Sequence, residues 1–199
     1  MIKLYHSPGT RSVRIYWLLE ELGLRYELVT VPFTPHATPF SQPTPGGKVP
    51  VIQDGDLTMF ESGAILEYIL ERYGEGRLAP PPGTPLRGPF LQWVHFAEAT
   101  AMPPLGDIVR HTRFKPEAER IPAVVADART RAAAVLGVLE RALANRTYLL
   151  GGEFSGADIM TGYMLLAAKW FRLLTDAYPN VTRYMTRLEA RPAFQKATS

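Results

Sequence analysis

Three prolines in a row, inside Leu78-Ala79-Pro80-Pro81-Pro82-Gly83-Thr84-Pro85, divide this chain of 199 residues. Proline locks φ and has no N–H to give, so a cluster of them ends both helix and sheet and leaves a semi-rigid connector between two packed units. The patterning on either side agrees. Before the cluster, short β-like runs alternate with helical ones; after it, long helical patterns follow with almost no strand signal. We place a first unit at residues 1–78, a linker at 79–87 and an all-helical unit at 88–199.

In the first unit, Ile2 to Tyr5 reads as a strand and Ser7-Pro8-Gly9 as turn chemistry leading to Thr10, a helix N-cap. A helix is expected from Arg11 to Leu22, with Ile15, Leu18, Leu19 and Leu22 as its buried stripe and Gly23 at its end. Tyr26 to Val31 reads as a second strand. Five prolines between residues 32 and 47 forbid a long helix and predict an irregular segment. Val49 to Gln53 and Leu57 to Phe60 flank Asp54-Gly55-Asp56, a hairpin signal, and a helix is expected from Ser62 to Tyr73.

That order makes a mixed four-stranded sheet with helices, the thioredoxin-like order, followed by an all-α bundle: an α+β chain of two parts. The bundle helices are expected over Leu86 to His111, broken or kinked at Pro103-Pro104, and over Pro122 to Leu143, Gly156 to Leu173 and Val181 to Glu189.

Composition narrows the chemistry. The chain has no cysteine, so a disulfide framework, a thiolate metal site and a Cys-x-x-Cys redox centre are all excluded, and the 4 histidines are too scattered for a ligand cluster. We expect no metal and no permanently bound cofactor, and any thiol must arrive with a ligand. Residues 1 to 80 carry 7 Lys+Arg against 9 Asp+Glu, a formal −2, and residues 81 to 199 carry 15 against 10, a formal +5. The basic residues of the second half lie scattered through helical patterns without interleaved exposed aromatics, which argues against a nucleic-acid partner. No apolar run reaches membrane-spanning length, and no signal-like leader opens the sequence, so we expect a cytoplasmic protein without a membrane partner.

Tyr5-His6-Ser7-Pro8-Gly9-Thr10-Arg11-Ser12-Val13-Arg14, then Gly46-Gly47-Lys48-Val49-Pro50-Val51, then Phe60-Glu61-Ser62-Gly63-Ala64-Ile65, resemble a cytosolic glutathione S-transferase of bacterial type, with a hydroxyl residue rather than cysteine at the active-site turn. The resemblance extends into the helical half, where Phe154-Ser155-Gly156-Ala157-Asp158-Ile159 is similar to the family's buried capping box. It implies glutathione as co-substrate, a cis Val49-Pro50 bond, and pairing of the Val49 backbone with the cysteinyl backbone as if a strand were added. It further implies that Ser62 binds the γ-glutamyl carboxylate at a helix N-terminus while Glu61 meets the α-amino group. Lys48 is a candidate for the glycyl carboxylate or the cysteinyl carbonyl region. A turn proline and a plain helix cap are the structural readings of Pro50 and Ser62.

The thiol must be held as thiolate to attack, and a hydroxyl donor at a helix N-terminus lowers its pKa. Thr10 is the first choice for that donor; Ser12, Ser7 and Tyr5 remain alternatives, and Arg11 would add positive charge. The electrophile is expected to be a hydrophobic small molecule in an apolar cleft between the two units, with Met102, Leu105, His111 and Phe114 as candidate walls. A glutathione-dependent disulfide or peroxide reductase would use the same site. A non-catalytic interaction module with this fold is the third reading. The resemblance also implies a homodimer.

Overall fold

Along β1 (Ile2–His6) every second side chain is buried, so Ile2, Leu4 and His6 face the core while Lys3 and Tyr5 lie on the other face. The computed structural model describes residues 1–32 and 47–199. β1 is central in a four-stranded sheet of order β2-β1-β3-β4. It pairs in parallel with β2 (Tyr26–Thr30), from Ile2 against Tyr26 to His6 against Thr30. On its other side it pairs antiparallel with β3 (Val51–Asp54), which pairs antiparallel with β4 (Leu57–Phe60). The β3–β4 hairpin closes over Gly55-Asp56, with Asp54 opposite Leu57, and Gly55 takes the positive φ of 60° that a two-residue turn requires.

Two helices complete this thioredoxin-like arrangement. α1 (Ser12–Leu22) buries Val13, Ile15, Trp17, Leu18, Leu19 and Leu22, and it ends where Gly23 turns left-handed at φ 64°. Its N-cap position is held by Arg11, one residue later than the sequence predicts, although Thr10 Oγ1 still accepts from the Ser12 N–H at 3.3 Å. α2 (Ser62–Tyr73) buries Ile65, Leu66, Ile69 and Leu70 as expected, and Tyr68 and Tyr73 near its end donate to Asp54 at the hairpin. The predicted irregular segment lies mostly outside the described residues.

The first unit comprises Met1–Pro82 together with Glu189–Ser199, and the second Gly83–Leu188. This corrects the assignment of residues 88–199 to one helical unit. A short helix, α8 (Pro192–Thr198), packs on α1. The Phe194 ring meets Trp17 edge to face with centroids 4.9 Å apart, and both side chains are buried. Around them Arg191 forks onto the Glu21 carboxylate at 2.6 and 2.7 Å, and Lys196 pairs with Glu20 at 2.8 Å. Sequence periodicity finds no such helix because seven residues hold less than two turns of pattern. Phe194→Ala should therefore destabilise the first unit by about 3–5 kcal/mol in denaturant unfolding.

In the second unit the helical path from α3 (Arg87–His95) runs through a wide π turn, Phe96–Ala101, into α4 (Met102–Val109) and a second π turn, Arg110–Phe114. The helix expected over Leu86 to His111 is interrupted by the π turn directly before Pro103-Pro104, and no break falls at the prolines themselves. Both prolines fall in the first turn of α4, where a missing N–H is least costly, and the π turn before them absorbs the mismatch. α5 (Pro122–Ala142) packs on α4, and α6 (Gly156–Trp170) packs on α3. α7 (Pro179–Glu189) follows, begun two residues earlier than its apolar pattern.

Ser155 and Asp158 form the predicted capping box at the start of α6. Asp158 is fully buried and accepts from the Leu149 N–H at 3.0 Å, the Ser155 N–H at 2.8 Å, the Ser155 hydroxyl at 2.9 Å and the Tyr184 hydroxyl at 2.7 Å. Removing that acceptor strands donors in the core, each worth about 1–3 kcal/mol when left without a partner. Asp158→Ala is expected to lower unfolding free energy by at least about 3 kcal/mol, or to prevent recovery of folded protein.

Candidate active site

The turn between β1 and α1 gathers four polar groups. His6, last in β1 and on its buried face, is only 5% exposed, and its Nδ1 lies 2.8 Å from Ser12 Oγ. Ser12 is the first residue of α1 and is fully buried. Its Oγ accepts the Ser7 N–H at 3.1 Å and lies 2.7 Å from Thr10 Oγ1. Thr10, half-buried, reaches the Ser7 carbonyl at 2.7 Å. Burial pushes the His6 imidazole below its ordinary pKa, which keeps it neutral near neutral pH.

A second group stands at the start of α2. Glu61 occupies the N-cap position with φ 71° and ψ 107°, a left-handed conformation that costs a non-glycine residue of order 1–3 kcal/mol. Ser62 is therefore the first helical residue and not its cap, which removes the plain-cap reading of that serine. Ser62 is buried, and its hydroxyl oxygen accepts from Arg14 Nη1 at 3.0 Å. Arg14, fully buried on α1, thus ties the first turn of one helix to the first turn of the other. Because Arg14 donates to its oxygen, the Ser62 hydroxyl keeps its own proton to give. Both helix N-termini add the positive end of a dipole.

The expected residues fall into place unevenly. Thr10, Ser12 and the Ser7 backbone form one cluster, and Glu61 and Ser62 the other. Tyr5 is not in either; it lies on the opposite face of β1 and donates its hydroxyl to Gln53 Oε1 at 2.9 Å. Arg11 is half-buried beside Thr10, and Lys48 is exposed. Val49 and Pro50 are buried and joined by a cis peptide bond, as the family resemblance implies. Among the wall candidates, Met102 and Leu105 are corrected: they are 5% and 3% exposed, and Leu105 lines the interior of the helical unit with Ala132, Leu136 and Met164. His111 and Phe114 are half-buried in the second π turn, where His111 Nδ1 accepts from the Ile121 N–H at 3.1 Å. Neither His6 nor Arg14 is among the candidate site residues read from the sequence; the period-2 burial of β1 points to the first, and the place of Arg14 four residues after Thr10 belongs to the family resemblance. Among the described residues no group of His, Asp and Glu is placed to hold a metal.

A thioredoxin-like unit followed by a helical unit is the two-part order that the sequence resemblance implies. The family models agree. That for the glutathione S-transferase N-terminal domain matches residues 1–71, and that for the C-terminal domain matches residues 101–192. The chain belongs to the glutathione S-transferase family. It is 33% identical over 207 residues to glutathione S-transferase 3 of Zea mays, covering 100% of this chain and 93% of that protein. Among solved structures it is similar to a glutathione transferase family member from Pseudomonas fluorescens with two glutathione bound, at TM-score 0.88 and 29% identity, covering 99% of this chain and 92% of the other. A glutathione transferase from Phanerochaete chrysosporium in complex with oxidized glutathione aligns at TM-score 0.86 and 28% identity, covering 98% and 94%. No helix among the described residues is long and apolar enough to cross a membrane.

Proposed function

We propose that the protein is a glutathione transferase that binds reduced glutathione on its first unit, stabilises the thiolate and adds it to a hydrophobic electrophile. The observation that carries this reading is the Arg14–Ser62 bond, which couples two helix N-termini with hydroxyl donors into one frame. A tripeptide with a carboxylate at one end and a thiol in the middle matches such a frame. Ser62 takes the γ-glutamyl carboxylate and Glu61 the α-amino group. Val49 pairs through its N–H and C=O with the cysteinyl backbone, Pro50 shapes that strand end, and Lys48 meets the glycyl carboxylate.

Thr10 donates its hydroxyl to the sulfur. A free thiol titrates near 8.5, so each unit by which the site lowers that value raises the thiolate fraction at neutral pH about tenfold. The N-terminal dipole of α1 and the charge of Arg11 act in the same direction. The thiol proton leaves to solvent, and the thiolate then forms a C–S bond, either expelling a leaving group or adding across a polarised double bond. Glutathione serves as co-substrate, and the step asks for no resident cofactor. His111 and Phe114, on the helical unit, are the wall residues retained for the electrophile. Because the co-substrate is kept reduced in the cytoplasm, that is where the reading locates the protein. We further propose a homodimer, which would cover Leu57 and Phe60, 41% and 49% exposed on the edge strand β4. In that dimer the first unit of one chain meets the helical unit of the other.

Calorimetric titration with reduced glutathione tests the reading. Saturable binding is expected, weakened roughly tenfold by Ser62→Ala, since a hydrogen bond to a charged group is worth about 1.5–3 kcal/mol. Thr10→Val should leave that affinity nearly intact while lowering turnover of an activated aryl halide at neutral pH by about tenfold or more. No heat at millimolar glutathione would sink the transferase reading. Light scattering should give twice the mass of one chain, and Phe60→Glu should shift it toward the monomer.

A further inference from the structure

We propose that His111 is a specificity-determining donor: its Nε2–H hydrogen-bonds an oxygen of the electrophile that gains negative charge as the thiolate attacks. The favoured electrophiles are then those activated by a carbonyl or nitro group, in preference to simple alkyl halides. The inference rests on the reading of His111 as a wall of the electrophile site.

The backbone fixes the tautomer. Ile121, at the N-cap position of α5, donates its N–H to His111 Nδ1 at 3.1 Å. A backbone amide nitrogen can only give a proton, so in the neutral ring Nδ1 is the bare nitrogen and the one ring proton stands on Nε2. The segment that brings Ile121 back to the ring is closed on itself. Arg120 Nε donates to the Lys115 carbonyl at 3.0 Å, and Lys115 pairs with Glu119 at 3.7 Å.

The other polar side chains of the π turn are differently engaged. Thr112 gives its hydroxyl proton to the Ile108 carbonyl at 2.6 Å, and the Arg113 guanidinium lies over the Phe171 ring, 5.4 Å from its centroid. Arg110 is exposed, whereas His111 is half-buried. Among the described residues His111 Nε2 has no hydrogen-bond partner, and the turn Arg110–Phe114 contains no carboxylate to compete for its proton.

The chemistry of attack sets the substrate class. When the thiolate adds to an α,β-unsaturated carbonyl, a C–S bond forms at the β carbon, the double-bond electrons move onto the carbonyl oxygen, and water then protonates the α carbon. With a nitroaryl halide the charge gathers on the nitro oxygens until the halide leaves. In both cases an N–H at that oxygen binds the transition state more strongly than the ground state and raises the rate. His111 keeps its proton throughout. An alkyl halide expels its halide without charging an oxygen and gains nothing from the donor.

The test compares an enone and a benzyl halide at saturating glutathione. His111→Asn places an amide oxygen near Nδ1 for the Ile121 N–H and leaves nothing at Nε2. Its kcat/KM should fall about tenfold for the enone, the loss of one hydrogen bond to a charge-bearing oxygen, and stay within about twofold for the benzyl halide. His111→Gln, which carries an amide N–H toward the Nε2 position, should recover most of the enone rate. His111→Phe should part the two rates as the asparagine does, and serves if that variant does not fold. Nitrogen NMR of the labelled protein should show His111 protonated at Nε2. An Nδ1–H tautomer, or equal losses on both electrophiles, would overturn the proposal. If wild type turns over both and folded His111→Asn changes neither rate, the transferase reading stands and His111 leaves the electrophile site. If the wild type binds no glutathione, the transferase reading fails and takes this proposal with it.

Discussion

The hydrogen bond from Arg14 to Ser62 is buried at both ends, and the geometry of the first unit depends on it. A fully buried guanidinium is costly to desolvate, and this one donates from Nη1 to Ser62. That donor holds the serine that opens α2, and the same side chain sits in the first turn of α1, two residues after Ser12. The first turns of two helices from distant parts of the sequence are thereby held in one register.

The strand beneath contributes in the same way. Because β1 is central in the sheet and alternates strictly, His6 is carried inward with Ile2 and Leu4, and Tyr5 is carried to the other face. Strand parity separates the hydroxyls: Ser12, with Thr10 beside it, meets His6 on the buried face, while the Tyr5 hydroxyl is engaged by Gln53.

Much of this was legible in the sequence. Asp54-Gly55 announced the hairpin, the stripe of Ile15, Leu18, Leu19 and Leu22 announced α1, and Ser155 with Asp158 announced the capping box, because each rests on local chemistry within a few residues. What escaped depends on contacts far apart in the chain. α8 exists because Phe194 finds Trp17 and Arg191 finds Glu21, 170 residues away, and no window of seven residues records that. The positive φ of Glu61 is imposed from outside its own preferences. Met102 and Leu105 read as wall candidates for an apolar cleft, but in α4 both are buried. Gly46 of the loop motif falls outside the described residues.

Determining the crystal structure of the protein with reduced glutathione bound would test most directly whether the two helix N-termini form one ligand frame. The expected complex has the sulfur within hydrogen-bonding distance of Thr10 Oγ1, the cysteinyl backbone paired with Val49 and the γ-glutamyl carboxylate on Ser62. A sulfur held by the Tyr5 hydroxyl in place of Gln53, or a tripeptide bound away from α1 and α2, would contradict it.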